Sequence, residues 1–197
     1  VFFSPGRSIP EFGPGFLSLA AVAVIETLDR LPGFKGKAGI KWVNDILVEG
    51  SKVAGFLVHT QSTGSLVHGL IIGLGLNVET APVVDTDPFV PKTAALKHLS
   101  SEASGVTRNK ILPILIERIC QNYRLMLEAG AATLINIYRS RSVVVGRNVK
   151  VMSDPLVPGE PGETVASGVV ESIGDHLELI MKDRDGPVTR GRLILPE

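Results

Sequence analysis

Three short segments carry the residues of this chain whose types and spacing suit ligand chemistry. They are residues 41–45 (KWVND), 52–55 (KVAG) and 73–77 (GLGLN). Each also has an ordinary structural interpretation, because Asn-Asp pairs are common in turns and a Gly-x-Gly pattern in a strand can mark a bulge. Together they offer a cation, a carboxylate, an amide and a stretch of backbone without side chains. That combination suits a flat ligand that carries a phosphate.

The surrounding sequence predicts an antiparallel meander that would bring these segments together. Its strands are apolar runs separated by short polar turns: 38–42, 46–48, 53–59 and 66–78. The hairpin pattern of these runs predicts that consecutive strands pair. Residues 70–72 (LII) predict a strand that is buried on both faces. Asp45 and Lys52 begin neighbouring strands and Gly73 and Gly75 interrupt the next one, so these four positions can meet on one face.

Helices are predicted before and after the meander. The first shows apolar residues at helical spacing: Leu17, Ala21, Val24, Leu28 and Leu31. Thr107 is expected to cap a long helix that Gly130 ends, and residues 131–138 predict another helix. Residues 79–95 have the composition of a loop. The helices are expected to cover the sheet.

The last third of the chain has a different sequence pattern. From about Val143 it contains short strand-like runs: 148–152, 165–173, 176–181 and 193–195. This pattern predicts a small β-barrel, with residues 155–163 as a protruding loop.

Composition excludes some classes of function. The 197 residues include 20 basic and 20 acidic side chains, so the formal net charge is zero. That balance argues against a protein whose main task is to neutralise nucleic-acid phosphates. The single cysteine, Cys120, fits a reducing compartment. No run of 18 uninterrupted apolar residues predicts a membrane span.

The three segments, in this order and spacing, resemble the core of the biotin–protein ligases. There they follow the patterns K-W-P-N-D, K-x-A-G-I-L and I-G-x-G-x-N. The resemblance implies an α/β fold of the α+β type, with a mainly antiparallel sheet covered by helices. It also implies a catalytic domain over residues 1–143, incomplete at its N-terminus, and an SH3-like barrel domain over residues 144–197.

The chain departs from the family pattern at three places. Val43 stands where the family has proline, and His59 stands where an acidic residue commonly follows the second segment. The third departure is that the family's Gly/Arg-rich loop, G-R-G-R-x-G-R, which precedes the segment that corresponds to Val1, is not present in this sequence. Because that loop closes over the ligand, we expect this chain to bind biotin weakly and to form the adenylate poorly.

The resemblance implies a cytoplasmic, ATP-dependent enzyme that forms biotinyl-AMP with Mg²⁺ and transfers biotin to a lysine of a carboxyl carrier protein. Lys52 matches the catalytic lysine that contacts the biotin carboxylate and the phosphate. The other residues that match biotin or adenylate contacts are Asp45, Gly55, Gly73, Gly75 and Asn77. Of these, Asn77 is also expected to lie near the nucleotide's Mg²⁺. A homodimer is compatible with the resemblance, whereas DNA and membranes are not expected partners.

Two other functions are compatible with the sequence. One is a binding or regulatory protein that keeps the fold without turning over substrate. The other is a related ligase for lipoate or another acyl group. The K-W-x-N-D segment followed by a barrel favours biotin.

Overall fold

A six-stranded antiparallel sheet, the first sheet, forms the centre of the fold. The computed structural model describes residues 1–83, 88–89, 92–154 and 162–195, with residues 9–11 described by their backbone only. The strands are β1 (Phe2–Phe3), β2 (Arg7–Ser8), β3 (Ala38–Lys41), β4 (Asp45–Val48), β5 (Ser51–Thr63) and β6 (Leu66–Leu76). Their order is β1-β6-β5-β4-β3, and β2 also pairs with β6. The meander predicted from the sequence is therefore confirmed.

Within the described residues, four α-helices accompany this sheet. They are α1 (Ile9–Asp29), α2 (Leu96–Leu99), α3 (Arg108–Ala129) and α4 (Ala132–Ser140), with a 3₁₀ helix at Ser101–Gly105. Helix α1 packs on the sheet and against α3 and α4. By length and composition its residues 12–29 would also suit a membrane span, but 72% of that stretch is buried inside this fold. We therefore interpret α1 as the central core helix.

The predicted helix boundaries hold at α3 and fail at α1. Thr107 precedes α3 and Gly130 follows it, and Gly130 has φ = 80°, a conformation that favours glycine. Helix α1 starts at Ile9, earlier than the apolar periodicity predicted. Pro10 falls in its first turn, where a backbone N–H has no partner within the helix and proline is tolerated.

Strand β6 is buried on one face only, so the prediction of burial on both faces was wrong. Leu70 and Ile72 are buried, whereas Ile71 is 41% exposed. On β5, Phe56 is buried and Leu57 is 73% exposed. The reason is that α1 covers one side of the sheet. We call the opposite side, which carries Leu57 and Ile71, the open face.

The C-terminal region forms a second antiparallel sheet. Its strands are β7 (Asn148–Met152), β8 (Thr164–Ile173), β9 (Leu179–Met181) and β10 (Arg192–Ile194), in the order β10-β7-β8-β9. Among the described residues no ladder joins β9 to β10, so a closed barrel is not confirmed. Both strands are only three residues long, and β9 is joined by a single bridge, Leu179 to Val188, on its other side. Most of the predicted protruding loop, residues 155–161, lies outside the described residues.

Polar contacts join the first part of the chain, including α4, to the C-terminal region. The indole Nε1 of Trp42 donates a hydrogen bond to the carbonyl of Leu177 over 2.6 Å. The Arg139 guanidinium donates to the carbonyl of Ile173 over 2.7 Å and to Asp175 over 2.6 Å. Buried apolar residues of both sheets belong to one hydrophobic cluster. The division at residues 143/144 therefore stays a prediction, because packing runs across it.

Replacing Trp42 by alanine is expected to lower the melting temperature strongly. The side chain is 5% exposed, and its loss leaves a cavity and an unpaired carbonyl at Leu177. Such large-to-small changes typically cost about 3–5 kcal/mol. Thermal unfolding followed by circular dichroism measures the effect, with Phe2→Ala as the control because Phe2 is 61% exposed. Equal melting of Trp42→Ala and the parent would contradict a packing role for this indole.

Candidate active site on the open face of the sheet

Three of the sequence-predicted site residues form a row across neighbouring strands. Asp45 on β4 pairs with Gly55 on β5, and Gly55 pairs with Gly75 on β6. Directly opposed residues of antiparallel strands project from the same face, so these three share the open face. Gly73 lies two residues before Gly75 and pairs with Leu57 on that face as well. The expected convergence of these positions is confirmed.

A β-bulge brings Lys52 to the same face. Ile46 pairs with Ala54 but Leu47 pairs with Lys52, which leaves Val53 as an extra residue between them. In a regular strand Lys52 and Gly55, three positions apart, would point to opposite faces. Because the bulge adds one residue to β5, both residues point to the same face. As a result, a side-chain carbon placed at Gly55 would lie only 3.4 Å from Lys52 Nζ.

Lys52 and Asp45 form a close ion pair. The distance from Lys52 Nζ to Asp45 Oδ1 is 2.6 Å, and the two side chains are 28% and 14% exposed. Partial burial makes this contact stronger than a fully solvated surface pair, because less water screens it. The carboxylate therefore fixes the direction of the Lys52 ammonium while leaving part of it open to a ligand.

Lys41 is a site residue that sequence reasoning did not single out. Its Nζ lies 3.8 Å from Asp45 Oδ2, and its side chain is 5% exposed. It also donates a hydrogen bond to the carbonyl of Phe89. Two ammonium groups and one carboxylate give this cluster a formal charge of +1, which suits an anionic ligand. The available indication was a lysine at the end of an apolar strand, four residues before Asp45.

The glycines have different local roles. A Cβ at Gly55 would lie 3.3 Å from Lys52 Cε and 3.5 Å from Asp45 Oδ1, so the missing side chain makes room for the ion pair. At Gly73 and Gly75 the nearest atoms to such a Cβ are backbone carbonyl oxygens, both 3.9 Å away. The fold therefore has space for a methyl group at these two positions. Glycine there keeps the open face flat.

Asn77 lies at the end of β6, next to Lys52. Its Nδ2 donates a hydrogen bond of 3.4 Å to the carbonyl of Lys52, and its backbone N–H donates to Val53 over 2.8 Å. Its own carbonyl accepts a hydrogen bond from the N–H of Leu96. Asn77 thus joins β5, β6 and α2 beside the ion pair. All six sequence-predicted site residues lie in one region, and their chemical roles stay predictions.

Two cavities adjoin the ion pair. The larger has a volume of about 580 Å³, within the usual size range of small-molecule sites. Its walls include the cluster of Lys41, Asp45 and Lys52, together with Phe89 and residues 140–143. The smaller, about 190 Å³, lies between residues 41–45 and residues 191–193 of the second sheet.

His59 and Cys120 lie outside the cluster of Lys41, Asp45 and Lys52. His59 is exposed on the open face of β5, opposite Ile71. Cys120 is half-buried within α3. Among the described residues, no group of three or more His, Cys, Asp or Glu side chains is arranged to hold a metal ion.

The segments that carry this site match a known family model. The model of the biotin/lipoate A/B protein ligase family matches residues 4–77, which contain all three site segments. A biotin–[acetyl-CoA-carboxylase] ligase of Paracoccus denitrificans is 27% identical over 179 residues, covering 90% of this chain and 68% of the relative. A biotin–[acetyl-CoA-carboxylase] ligase of Mycobacterium tuberculosis is 31% identical over 177 residues, covering 88% of this chain and 59% of the relative.

A solved structure shares the fold. The biotin protein ligase of Aquifex aeolicus, in complex with biotin and ATP, superposes with a TM-score of 0.69 at 19% identity. The match covers 99% of this chain and 77% of that chain, so both sheets have counterparts there. The chain is therefore similar to biotin–protein ligases in sequence and in fold, and its residues 4–77 match the biotin/lipoate A/B protein ligase family.

Proposed function

We propose that this chain is an ATP-dependent biotin–protein ligase. The observation that carries the proposal is the Lys52–Asp45 ion pair beside a row of glycines on the open face. It is supported by the relatives that are named biotin–[acetyl-CoA-carboxylase] ligases and by the fold shared with a ligase in complex with biotin and ATP. The chain spans 59% of the Mycobacterium tuberculosis relative, so the activity of the whole protein is part of this proposal.

In the first step a carboxylate oxygen of biotin forms a bond to the α-phosphorus of ATP. The bond from that phosphorus to the bridging oxygen breaks, and pyrophosphate leaves with the electron pair. Biotinyl-AMP is the product. Both reactants are anions, so the step requires fixed positive charge near the reacting phosphorus. The cluster of Lys41, Asp45 and Lys52 supplies it.

Lys52 is the proposed catalytic residue. Its ammonium lies against the biotin carboxylate and the α-phosphate and stabilises the negative charge on the transferring group. Asp45 holds that ammonium in place before the ligands arrive, over 2.6 Å. An oriented charge of this kind acts without reorganisation at the moment of reaction.

The two ligands occupy different parts of the site in this proposal. The fused rings of biotin lie on the flat backbone of Gly73 and Gly75, where no side chain stands between ligand and sheet. The nucleotide occupies the cavity of about 580 Å³, whose walls include Lys41 and Phe89. Lys52 lies where these two regions meet.

In this proposal Mg²⁺ would be bound mainly by ATP. This ion commonly binds through substrate phosphates and only one or two protein oxygens, so it does not require the carboxylate cluster that the described residues lack. Asn77 is the proposed protein contact beside it, because its amide lies next to Lys52. When bound, Mg²⁺ neutralises phosphate charge.

In the second step a lysine amine of the acceptor attacks the carbonyl carbon of biotinyl-AMP. An amide bond forms, the bond to the phosphate oxygen breaks, AMP leaves, and the nitrogen loses a proton. The proposed partner is the carboxyl carrier domain of a biotin-dependent carboxylase. Lipoate is the alternative acyl substrate, because the matching family includes lipoate ligases.

The direct test incubates the purified chain with ATP, Mg²⁺ and either biotin or lipoate. Pyrophosphate release and mass spectrometry measure adenylate formation, and a carrier domain reports transfer. Biotinyl-AMP and a biotinylated carrier are the expected products. If only lipoate is adenylated, lipoate replaces biotin as the substrate. If biotin binds without pyrophosphate release, the chain is a binding protein instead of a ligase.

Lys52→Ala is expected to lower the rate of biotinyl-AMP formation by about 10²–10³-fold, as for loss of one oriented charge donor. The melting temperature should change little, because Asp45 keeps Lys41 as a cationic partner at 3.8 Å. The matched control is Lys35→Ala, a change at an exposed lysine outside the site. Equal rates for both variants in a pyrophosphate-release assay would remove Lys52 from the mechanism.

Gly75→Ala tests whether biotin lies on the bare backbone. The fold has room for the methyl group, so thermal unfolding should match the parent. The methyl group would stand where the ligand lies, and calorimetry should show biotin binding about 10- to 200-fold weaker, the usual range for one added methylene in a binding pocket. Gly105→Ala, at an exposed position in the 3₁₀ helix and outside both sheets, is the control. Unchanged affinity in Gly75→Ala would mean that biotin does not occupy this surface.

A further inference from the structure

The three residues that precede Asp45 are each anchored to a different part of the fold. Trp42 Nε1 donates to Leu177 over 2.6 Å, the Tyr138 hydroxyl donates to the Val43 carbonyl over 2.8 Å, and Asn44 Nδ2 donates to the Phe56 carbonyl over 2.8 Å. Only the last anchor lies in the sheet that bears the site. The other two come from α4 and from the segment between β8 and β9, outside the stretch that matches the family model.

Tyr138 is buried completely, with 0% of its surface exposed. Tyr138 lies on α4, and its hydroxyl donates a hydrogen bond to the Val43 carbonyl in the turn formed by residues 42–44. Burial, and then the negative charge of Asp45, raise the pKa of the phenol well above its usual value. The hydroxyl therefore stays protonated and remains a donor throughout the ordinary pH range.

Helix α4 also contacts the segment that accepts the hydrogen bond from Trp42. Arg139, the neighbour of Tyr138, donates to Ile173 and Asp175 at the end of β8. Leu177, two residues beyond Asp175, accepts the hydrogen bond from Trp42. The turn, α4 and the segment between β8 and β9 thus form a closed ring of contacts.

We propose that Tyr138 is a positioning residue for the Asp45–Lys52 ion pair. Its hydrogen bond fixes the backbone at Val43, the fixed turn places the Asp45 carboxylate, and the carboxylate orients the Lys52 ammonium. The catalytic consequence rests on the proposed function. A displacement of about 1 Å in a group that positions reacting atoms can lower a rate by about 10²-fold.

Tyr138→Phe is the test, because it removes only the hydroxyl. Trp42 is the single tryptophan of the chain, so its fluorescence reports on the turn without any need for activity. We expect acrylamide to quench Trp42 more strongly in this variant, and kcat for biotinyl-AMP formation to fall about tenfold or more. Ile135→Val, a buried change on the same helix, is the control and should alter neither measurement.

A double-mutant comparison separates positioning from general destabilisation. If Tyr138 acts through Asp45, Tyr138→Phe should lower the rate less than twofold when Asp45→Asn is already present, because interacting residues are not additive. A full, additive loss in that background would overturn the proposal. Rates are compared at a temperature at which thermal unfolding shows every variant to be folded.

Arg139→Gln keeps the proposal testable if Tyr138→Phe does not fold. The Arg139 side chain is 30% exposed, so its replacement leaves a smaller defect while releasing the segment that holds Trp42. Increased quenching and a lower rate are expected here too, and no change in either would overturn the proposal. If the parent chain forms no adenylate, the ligase function fails, and the quenching experiment alone decides whether Tyr138 holds the turn.

Discussion

One extra residue in β5 determines where the chemistry of this molecule can occur. Strand alternation would send Lys52 and Gly55 to opposite faces, and the bulge at Val53 brings both to the open face. Asp45, Gly55 and Gly75 are already aligned by the register of three strands. A lysine, a carboxylate and bare backbone therefore meet because of pairing geometry, although 30 residues of sequence separate the ends of the group.

The two faces of the sheet have opposite roles because one helix covers only one of them. Helix α1 buries the face that includes Phe56 and Ile72, which gives the sheet its stability. The other face keeps exposed apolar and glycine positions next to a charged pair. Such a surface can bind a ligand that has a flat apolar part and an anionic end. The zero net charge of the chain is no obstacle, since the positive charge needed is local.

The sequence was a good guide to the strands and to the proximity of the candidate site residues, because both follow from the local pattern of strands and turns; the roles of those residues stay predictions. Apolar runs and polar turns located the meander, and the three segments pointed to Asp45, Lys52 and Gly75. It could not give the bulge, since a register shift depends on how two strands pair. It also missed the exposure of Ile71, which follows from the absence of a helix over that face in the described part of the fold. The sequence also could not predict the hydrogen bond that fixes the turn, because Tyr138 and Val43 are 95 residues apart.

The contacts that cross from the second sheet have a consequence for how such chains can evolve. Leu177 and Ile173 contribute backbone carbonyls, so the hydrogen bonds that Trp42 and Arg139 donate to them depend on main-chain position; of these contacts only the pair of Arg139 with Asp175 requires a particular side chain in the C-terminal part. Sequence in this C-terminal part can therefore drift widely as long as the path of the chain is kept. Exchange of the C-terminal part between relatives by recombination would succeed only where the incoming backbone follows the same path past Trp42. The two parts of the chain are accordingly expected to be inherited as one unit.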